Sequence, residues 1–279
     1  MTEADVPSCA VIEDAALAHL RQQMGLAASP PGPTADTIGH LLRTDPGCST
    51  VATDADGAVC GFSQAARRGR LWLLAHLFID PGLQSRGVGG ALLGAALGHT
   101  AEAEARMICA TADPRAIRLY AQIAGMVAHP SLTAAGTVST ERLVLERPAV
   151  RTGESGDLGF IEHLTTGLRG GPCGPDMAHL LGDDGRLLVH PGRGYAVAGP
   201  AGPRRLAATD DEAATDLLVA CLAGVTPGGT ARIPRFTGSH QWALQVAVAA
   251  GMEVRPWGPL LVSGNRAATG TYLPHPALC

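Results

Sequence analysis

Hydrophobic positions along this chain alternate between a helical and a strand period. From Val11 to Met24, and again from Ala35 to Arg43, they recur every three or four residues, which predicts two helices. Gly25 ends the first, and Pro30 to Pro33 form a loop between them. Cys48 to Thr53 and Ala58 to Ala66 have strand character around a hairpin turn at Asp54-Ala55-Asp56-Gly57. Arg67-Arg68-Gly69-Arg70 then turns the chain into an apolar run, Leu71 to Ile79, that stops at Asp80-Pro81. A short loop with three glycines follows, and helical spacing resumes at Ala91, Leu92, Ala95 and Ala96. Met107 to Ala112 reads as a buried strand. Asp113-Pro114 opens a further helix, Arg115 to Ala124, which Gly125 closes. His129-Pro130 leads through Gly136-Thr137-Val138 to a last strand at Leu143 to Glu146.

The pattern then restarts. A boundary at Glu146-Arg147-Pro148 divides the chain into residues 1–147 and 148–279, both α/β in plan. In the second part a helix is predicted from Asp157 to Leu168, a turn from Arg169 to Pro175, and strands at Arg186 to His190, Tyr195 to Ala198 and Arg204 to Ala208. AIRLYAQIAGMVAHP from Ala116 aligns without a gap on WALQVAVAAGMEVRP from Trp242, placing Gly125-Met126 on Gly251-Met252 and Pro130 on Pro256. Tyr120 falls on Val246, and no glycine-rich loop follows the strand ending near Leu206. Asp210, Asp211 and Glu212 stand there instead, and carboxylates repel phosphates. The second part reads as a degenerate copy.

Composition narrows the function classes. With 279 residues, 46% of them apolar and 16% charged, the chain can bury two cores. All 21 basic residues are Arg, the net charge is -4 and no dense Arg run occurs, which argues against a nucleic-acid surface. The start is acidic, without the pattern of a secretory signal, and no stretch of about 20 apolar residues could span a bilayer. A cytoplasmic protein is expected. Seven scattered cysteines, never in a Cys-x-x-Cys pattern, imply reduced thiols, and His179, His190 and His240 lack metal-ligand spacing, so no metal is expected. Trp72, Trp242 and Trp257 read as packing anchors.

The chemistry lies in Gln84-Ser85-Arg86-Gly87-Val88-Gly89-Gly90, between a strand end and a helix start. The first turn of a helix presents unpaired N–H groups at the positive end of its dipole, a natural anion cradle. Glycines let backbone approach a ligand, and Arg86 adds a fixed charge. Neither the Gly-Lys-Ser/Thr of a nucleoside-triphosphate loop nor the dinucleotide glycine spacing is present. Gln-x-x-Gly-x-Gly after an apolar strand resembles the acyl-CoA signature of the GCN5-related N-acetyltransferase (GNAT) family. ADPRAIRLYAQIAGM resembles that family's Asn-x-x-Ala-x-x-x-Tyr segment, with Asp113 replacing Asn while Ala116 and Tyr120 fit. The whole plan is similar to that of actinomycete tandem two-domain members.

The resemblance implies a mixed-sheet α/β fold, two tandem GNAT-like domains and acetyl-CoA as cofactor. It assigns Gln84, Ser85, Arg86, Gly87, Val88, Gly89 and Gly90 to the pyrophosphate, and backbone at Leu77, Phe78 and Ile79 to pantetheine. Asp113 and Ala116 join the cofactor set, and Tyr120 is the candidate donor to the departing thiolate. A general base is less plain. Where many family members carry Glu on this strand, Ala75 stands, beside His76. His76 has a suitable intrinsic pKa, but alternation turns it away from Leu77 and Ile79 unless a bulge re-aims it. Asp113 reads as a helix cap ahead of a substrate or water contact, Arg115 and Arg118 as solvated surface ahead of contacts to the 3′-phosphate, and water relaying the proton to a backbone carbonyl is a further route.

Acetyl transfer to the amine of a small metabolite or antibiotic is the expectation, with no nucleic-acid or membrane partner and a homodimer admitted. Two alternatives stand beside it: a non-catalytic acyl-CoA-binding regulatory module, and a related CoA-dependent acyltransferase or decarboxylase.

Overall fold

A computed structural model describes residues 1–26, 34–139, 143, 147–263 and 270–279. The first half contains α1 (Val6–Gln23), α2 (Thr34–Thr44), β1 (Ser49–Thr53), β2 (Val59–Arg68), β3 (Leu71–Ile79), α3 (Val88–Leu97), β4 (Ala105–Cys109), α4 (Pro114–Tyr120) and β5 (Val127–Gly136). The second half supplies β6 (Arg151–Thr152), α5 (Leu158–Arg169), α6 (Asp176–Leu181), β7 (Arg186–His190), β8 (Gly194–Gly199) and β9 (Gly202–Ala208). After these come α7 (Asp211–Ala223), β10 (Ala231–Thr237), α8 (Gln241–Ala249), β11 (Glu253–Ser263) and β12 (Tyr272–Leu273). No helix among the described residues is long and apolar enough to cross a membrane. The loop expected at Pro30 to Pro33 lies outside the described residues, as does the strand expected at Leu143 to Glu146 apart from Leu143.

Most expected elements form close to their expected bounds. The first helix begins five residues early because Pro7 sits in its first turn, where a missing N–H costs nothing. Conversely, α4 stops at Tyr120 and not Ala124. Beyond it the chain tightens into three-residue bonds, Ile123 N–H to the Tyr120 carbonyl at 3.0 Å and Met126 N–H to that of Ile123 at 3.2 Å. α6 forms where only a turn was expected to precede the next strand.

The largest departure from expectation is in the sheets. One sheet has the order β1-β2-β3-β4-β11-β5-β10 and the other β12-β9-β8-β7-β6. The seven-stranded sheet therefore crosses the expected division at residues 147 and 148, drawing β10 and β11 from beyond it. Neither β5 nor β11 reads as a strand in the sequence, because Pro130, Pro256 and Pro259 interrupt them and proline cannot donate to a ladder. The pairing accommodates the prolines with a register shift between Trp257 and Leu260, opposite Ser131 and His129. Ser131 pairs with Trp257, its own counterpart in the internal repeat, so β5 and β11 meet as two subunits meet across a dyad. The chain is built as a fused pseudo-dimer, an α/β molecule of two tandem units.

Helices cover both faces of the first-half sheet. α1 and α2 pack with Phe62 and Phe78 on one face, while α3 and α4 enclose Trp72, Leu74 and Leu93 on the other. A charged network joins the halves. Asp176 of α6, fully buried, accepts from His40 Nε2 at 3.0 Å and Arg68 Nε at 2.7 Å, and Arg68 Nη1 reaches Asp45 at 2.9 Å. Close approach of backbone supports it: a Cβ on Gly171 would lie 2.2 Å from the Arg68 carbonyl oxygen.

Candidate active site

β3 and β4 run parallel and paired only from Leu71 to Leu74 against Ala105 to Ile108. Past that point the two strands diverge. On the far side β4 is held by β11, with Leu260 opposite Cys109 and Ala110 N–H donating to the Pro259 carbonyl at 3.1 Å. On the near side β2 pairs with β3, but the register shifts between Gln64, opposite His76, and Ala65, opposite Leu74. Ala75 is therefore the extra residue of a bulge. The Asp80 N–H bonds back to Cys60 at 2.9 Å, so by alternation Ile79 and Leu77 offer their peptide groups to the gap.

That gap is a cleft with a volume of about 200 Å³. Leu77, Phe78 and Ile79 line one wall, and Asp113, Ala116 and Leu119 another. Its mouth is formed by Gln84, Ser85, Gly87, Gly89 and Gly90, and Ala16, Leu17 and Leu20 of α1 close a third side. Gly87 is the N-cap of α3 with φ +89, a conformation open to glycine, and no side chain caps the helix. The first intrahelical bond runs from Ala91 N–H to the Gly87 carbonyl at 3.2 Å, leaving the Val88, Gly89 and Gly90 amides at the opening of the helix for a ligand. Gln84 Nε2 donates to the Ile79 carbonyl at 3.2 Å, while its Oε1 is buried without a partner. Backbone donors and an open, partly apolar channel leading from them fit an acyl-CoA, whose diphosphate and pantetheine arm need those two environments.

Arg86, Val88 and Tyr120 stand apart from the cleft walls, whereas Asp113 lines one. Arg86 is exposed, and neither it nor the Val88 side chain lines the cavity. Asp113 caps α4, accepting from Arg115 N–H at 2.8 Å and pairing with its guanidinium at 2.8 Å. Burial raises the Asp113 pKa, but those bonds outweigh it and hold the carboxyl below its ordinary range. Tyr120 is 5% exposed among Trp72, Leu74, Leu93, Ile108 and Ile123, outside the lining. Burial pushes its phenol well up, so it is protonated at neutral pH.

His76 lies on the face opposite Leu77 and Ile79, as alternation requires, and the bulge puts it out of step with Trp72 and Leu74. Its ring sits 5.8 Å from Phe62 and 6.2 Å from Phe78, centroid to centroid. Nδ1 meets Gln64 Oε1 at 2.9 Å, and Nε2 is 3.6 Å from Glu13 Oε2. Burial drives the imidazole pKa down to about 3 and raises that of the Glu13 carboxyl to about 8. The sequence pattern does not single out Glu13. Its only signal is position: it shares one helical face with Ala16, Leu17 and Leu20, at i, i+3, i+4 and i+7.

The fold is similar to that of several solved acetyltransferase structures. Over its full length the chain is similar to the crystal structure of a putative acetyltransferase from Pyrococcus horikoshii, at 14% identity, with 93% of that chain covered and a TM-score of 0.79. A GCN5-related N-acetyltransferase from Sphaerobacter thermophilus is similar over 96% of each chain, at 14% identity and a TM-score of 0.59. A tandem GNAT protein from the clavulanic acid biosynthesis pathway matches 94% of this chain and 96% of its own, at 14% identity and a TM-score of 0.54. No curated protein sequence matches. Residues 14–126 match the sequence model of the acetyltransferase (GNAT) family. That segment holds the whole of the loop and helix start from Gln84 to Gly90.

Proposed function

We propose that the protein transfers an acetyl group from acetyl-CoA to the primary amine of a small molecule, and that residues 1–147 carry the acyl-CoA site while residues 148–279 carry none. The observation behind this reading is the uncapped opening of α3 at the mouth of the gap where β3 and β4 part. Amides from Gln84 to Gly90 hold the diphosphate, with Arg86 adding charge from the exposed rim. Peptide groups of Leu77 and Ile79, with Phe78 between them, hold the pantetheine arm as an added strand would be held. Ala116 keeps the facing wall of the cleft small, and Asp113 fixes the start of α4 that carries it. The bound thioester supplies an activated acyl carbon beside the amine.

Thiol release from acetyl-CoA over a panel of primary amines tests the reading, with calorimetry for CoA itself. Turnover with one or more amines, and uptake of one CoA per chain, is the expected result. Absence of CoA binding refutes it. A second reading, a module that binds acyl-CoA without transferring the acyl group, draws on the place of Tyr120 in an apolar cluster away from the cleft lining. Tyr120→Phe separates the two. If the phenol protonates the departing thiolate, the variant loses thiol release about 10²-fold or more and keeps CoA binding, whereas CoA uptake without turnover in either protein favours the module.

A further inference from the structure

Two buried hydrogen-bond acceptors face each other beneath the inner end of the cleft. The Gln64 amide is fixed in orientation, because its Nε2 donates to the Ile38 carbonyl and to Ser49 Oγ, each at 3.0 Å. Its Oε1 must then accept, so the proton of neutral His76 lies on Nδ1 and the Nε2 lone pair points at Glu13. Glu13 Oε2 is buried with no hydrogen-bond partner. An orphaned carboxyl oxygen opposite an imidazole lone pair is costly unless a proton or an N–H donor enters between them. The face of α1 that carries Glu13 continues one turn on as Ala16, Leu17 and Leu20, which line the cleft, and His76 immediately precedes Leu77 of its wall.

The geometry points to Glu13 as the group that takes the proton of the acceptor amine, with His76 as the positioning residue that receives the hydrogen bond of the protonated carboxyl. This rests on the acetyltransferase reading above. The ammonium passes one proton to the Glu13 carboxylate, and the amine lone pair attacks the thioester carbonyl. A C–N bond forms, the C–S bond breaks with its electron pair on sulfur, and the second proton of the amine goes to that sulfur, which balances the reaction. The charged and titratable groups around the pair are Asp14 and Cys9 on α1, and His275 from the segment after β12, whose ring interacts electrostatically with that of His76. Asp14 and burial both favour the protonated acid, so Glu13 is a base only on the alkaline side.

Three measurements on the intact protein decide the matter. In the wild type, kcat/KM for acetyl-CoA with an accepted amine rises with pH to a plateau above about 8, the range in which the Glu13 carboxyl titrates. Glu13→Gln lowers kcat about 100-fold or more and abolishes that rise, with CoA affinity by calorimetry unchanged. Gln64→Leu frees His76 to place its proton on Nε2, which favours the carboxylate and moves the rise to lower pH, a shift that lost packing alone does not produce. Glu13→Gln with wild-type turnover and profile overturns the proposal and leaves the acetyltransferase reading intact. Difference infrared spectroscopy tests the same assignment without turnover. A carboxylic-acid C=O band present at pH 7 and removed by Glu13→Gln supports it, and the absence of that band overturns it even if no amine is accepted.

Discussion

α3 and α7 occupy corresponding places in the two halves, and they begin in opposite ways. α3 opens on Gly87 with no side-chain cap. α7 opens on Asp210, whose carboxylate accepts from Ala213 N–H at 3.0 Å and is itself held by Arg193, with Glu212 bound to the same guanidinium at 2.7 Å. The strands differ in the same sense. β3 beyond Leu74 has an open edge, whereas β9 is paired on its corresponding edge by β12, Tyr272 against Ala207 and Leu273 against Leu206. One half leaves its helix start uncapped and a strand edge open, and in the other a side-chain cap and β12 occupy the corresponding places. The two halves thus share a plan and differ in whether these backbone groups already have partners in the chain.

The largest effect is expected where the halves are fastened, since a comparison between them presupposes that they fold together. Asp176→Ala leaves Arg68 and His40 without the buried carboxylate they share, and should cost about 3–5 kcal/mol in denaturant unfolding. Two separate unfolding transitions in the wild type would break the picture of one pseudo-dimer. The same carboxylate sets an acid limit. Burial raises its pKa, but hydrogen bonds from His40 and Arg68 dominate and hold it well below the ordinary range. A depressed native pKa contributes stability that is complete above the unfolded value of about 3.9 and is lost as pH falls below it. Unfolding stability measured from pH 7 downward should fall below about pH 4, and less steeply in Asp176→Asn.

Next in size is a graft of the second half's chemistry onto the first. Gly90 is exposed at the third position of α3, and a Cβ there meets open space. Gly90→Asp adds a carboxylate to the first turn of α3, as α7 carries Asp211 and Glu212 in its own first turn, which suits the helix dipole but opposes a diphosphate. Stability should hold or rise slightly while CoA affinity falls about 100-fold by calorimetry, roughly 2.7 kcal/mol. Unchanged affinity would remove the cradle from the site.

How much of this is legible in the sequence follows from what each feature depends on. The cradle is local, a run of glycines between two elements whose period is plain, so Gln84 to Gly90 can be read directly from the order of residues. Asp210 at the start of α7 is equally local. β5 and β11 are not, because their pairing is satisfied by partners about 126 residues away and prolines erase the strand signal that remains. Glu13 is hidden for a related reason. A single acid on an amphipathic helix looks solvated until the helix is docked, and only docking against His76 removes its water.

The smallest effect tests the comparison from the other side. Asp210→Ala deletes the α7 cap and one anchor of Arg193, returning the Ala213 N–H to the state of the α3 amides. Cap loss costs about 1 kcal/mol, and because Asp210 and Arg193 are partly exposed their ion pair adds little. If the capped helix start alone kept ligand out of the second half, this variant would acquire a second CoA site. β12 still pairs with the edge of β9, however, where a pantetheine arm would have to bond. Calorimetry should therefore return one CoA per chain in both wild type and variant, and a stoichiometry of two would mean that the cap, and not the inserted strand, silences the second half.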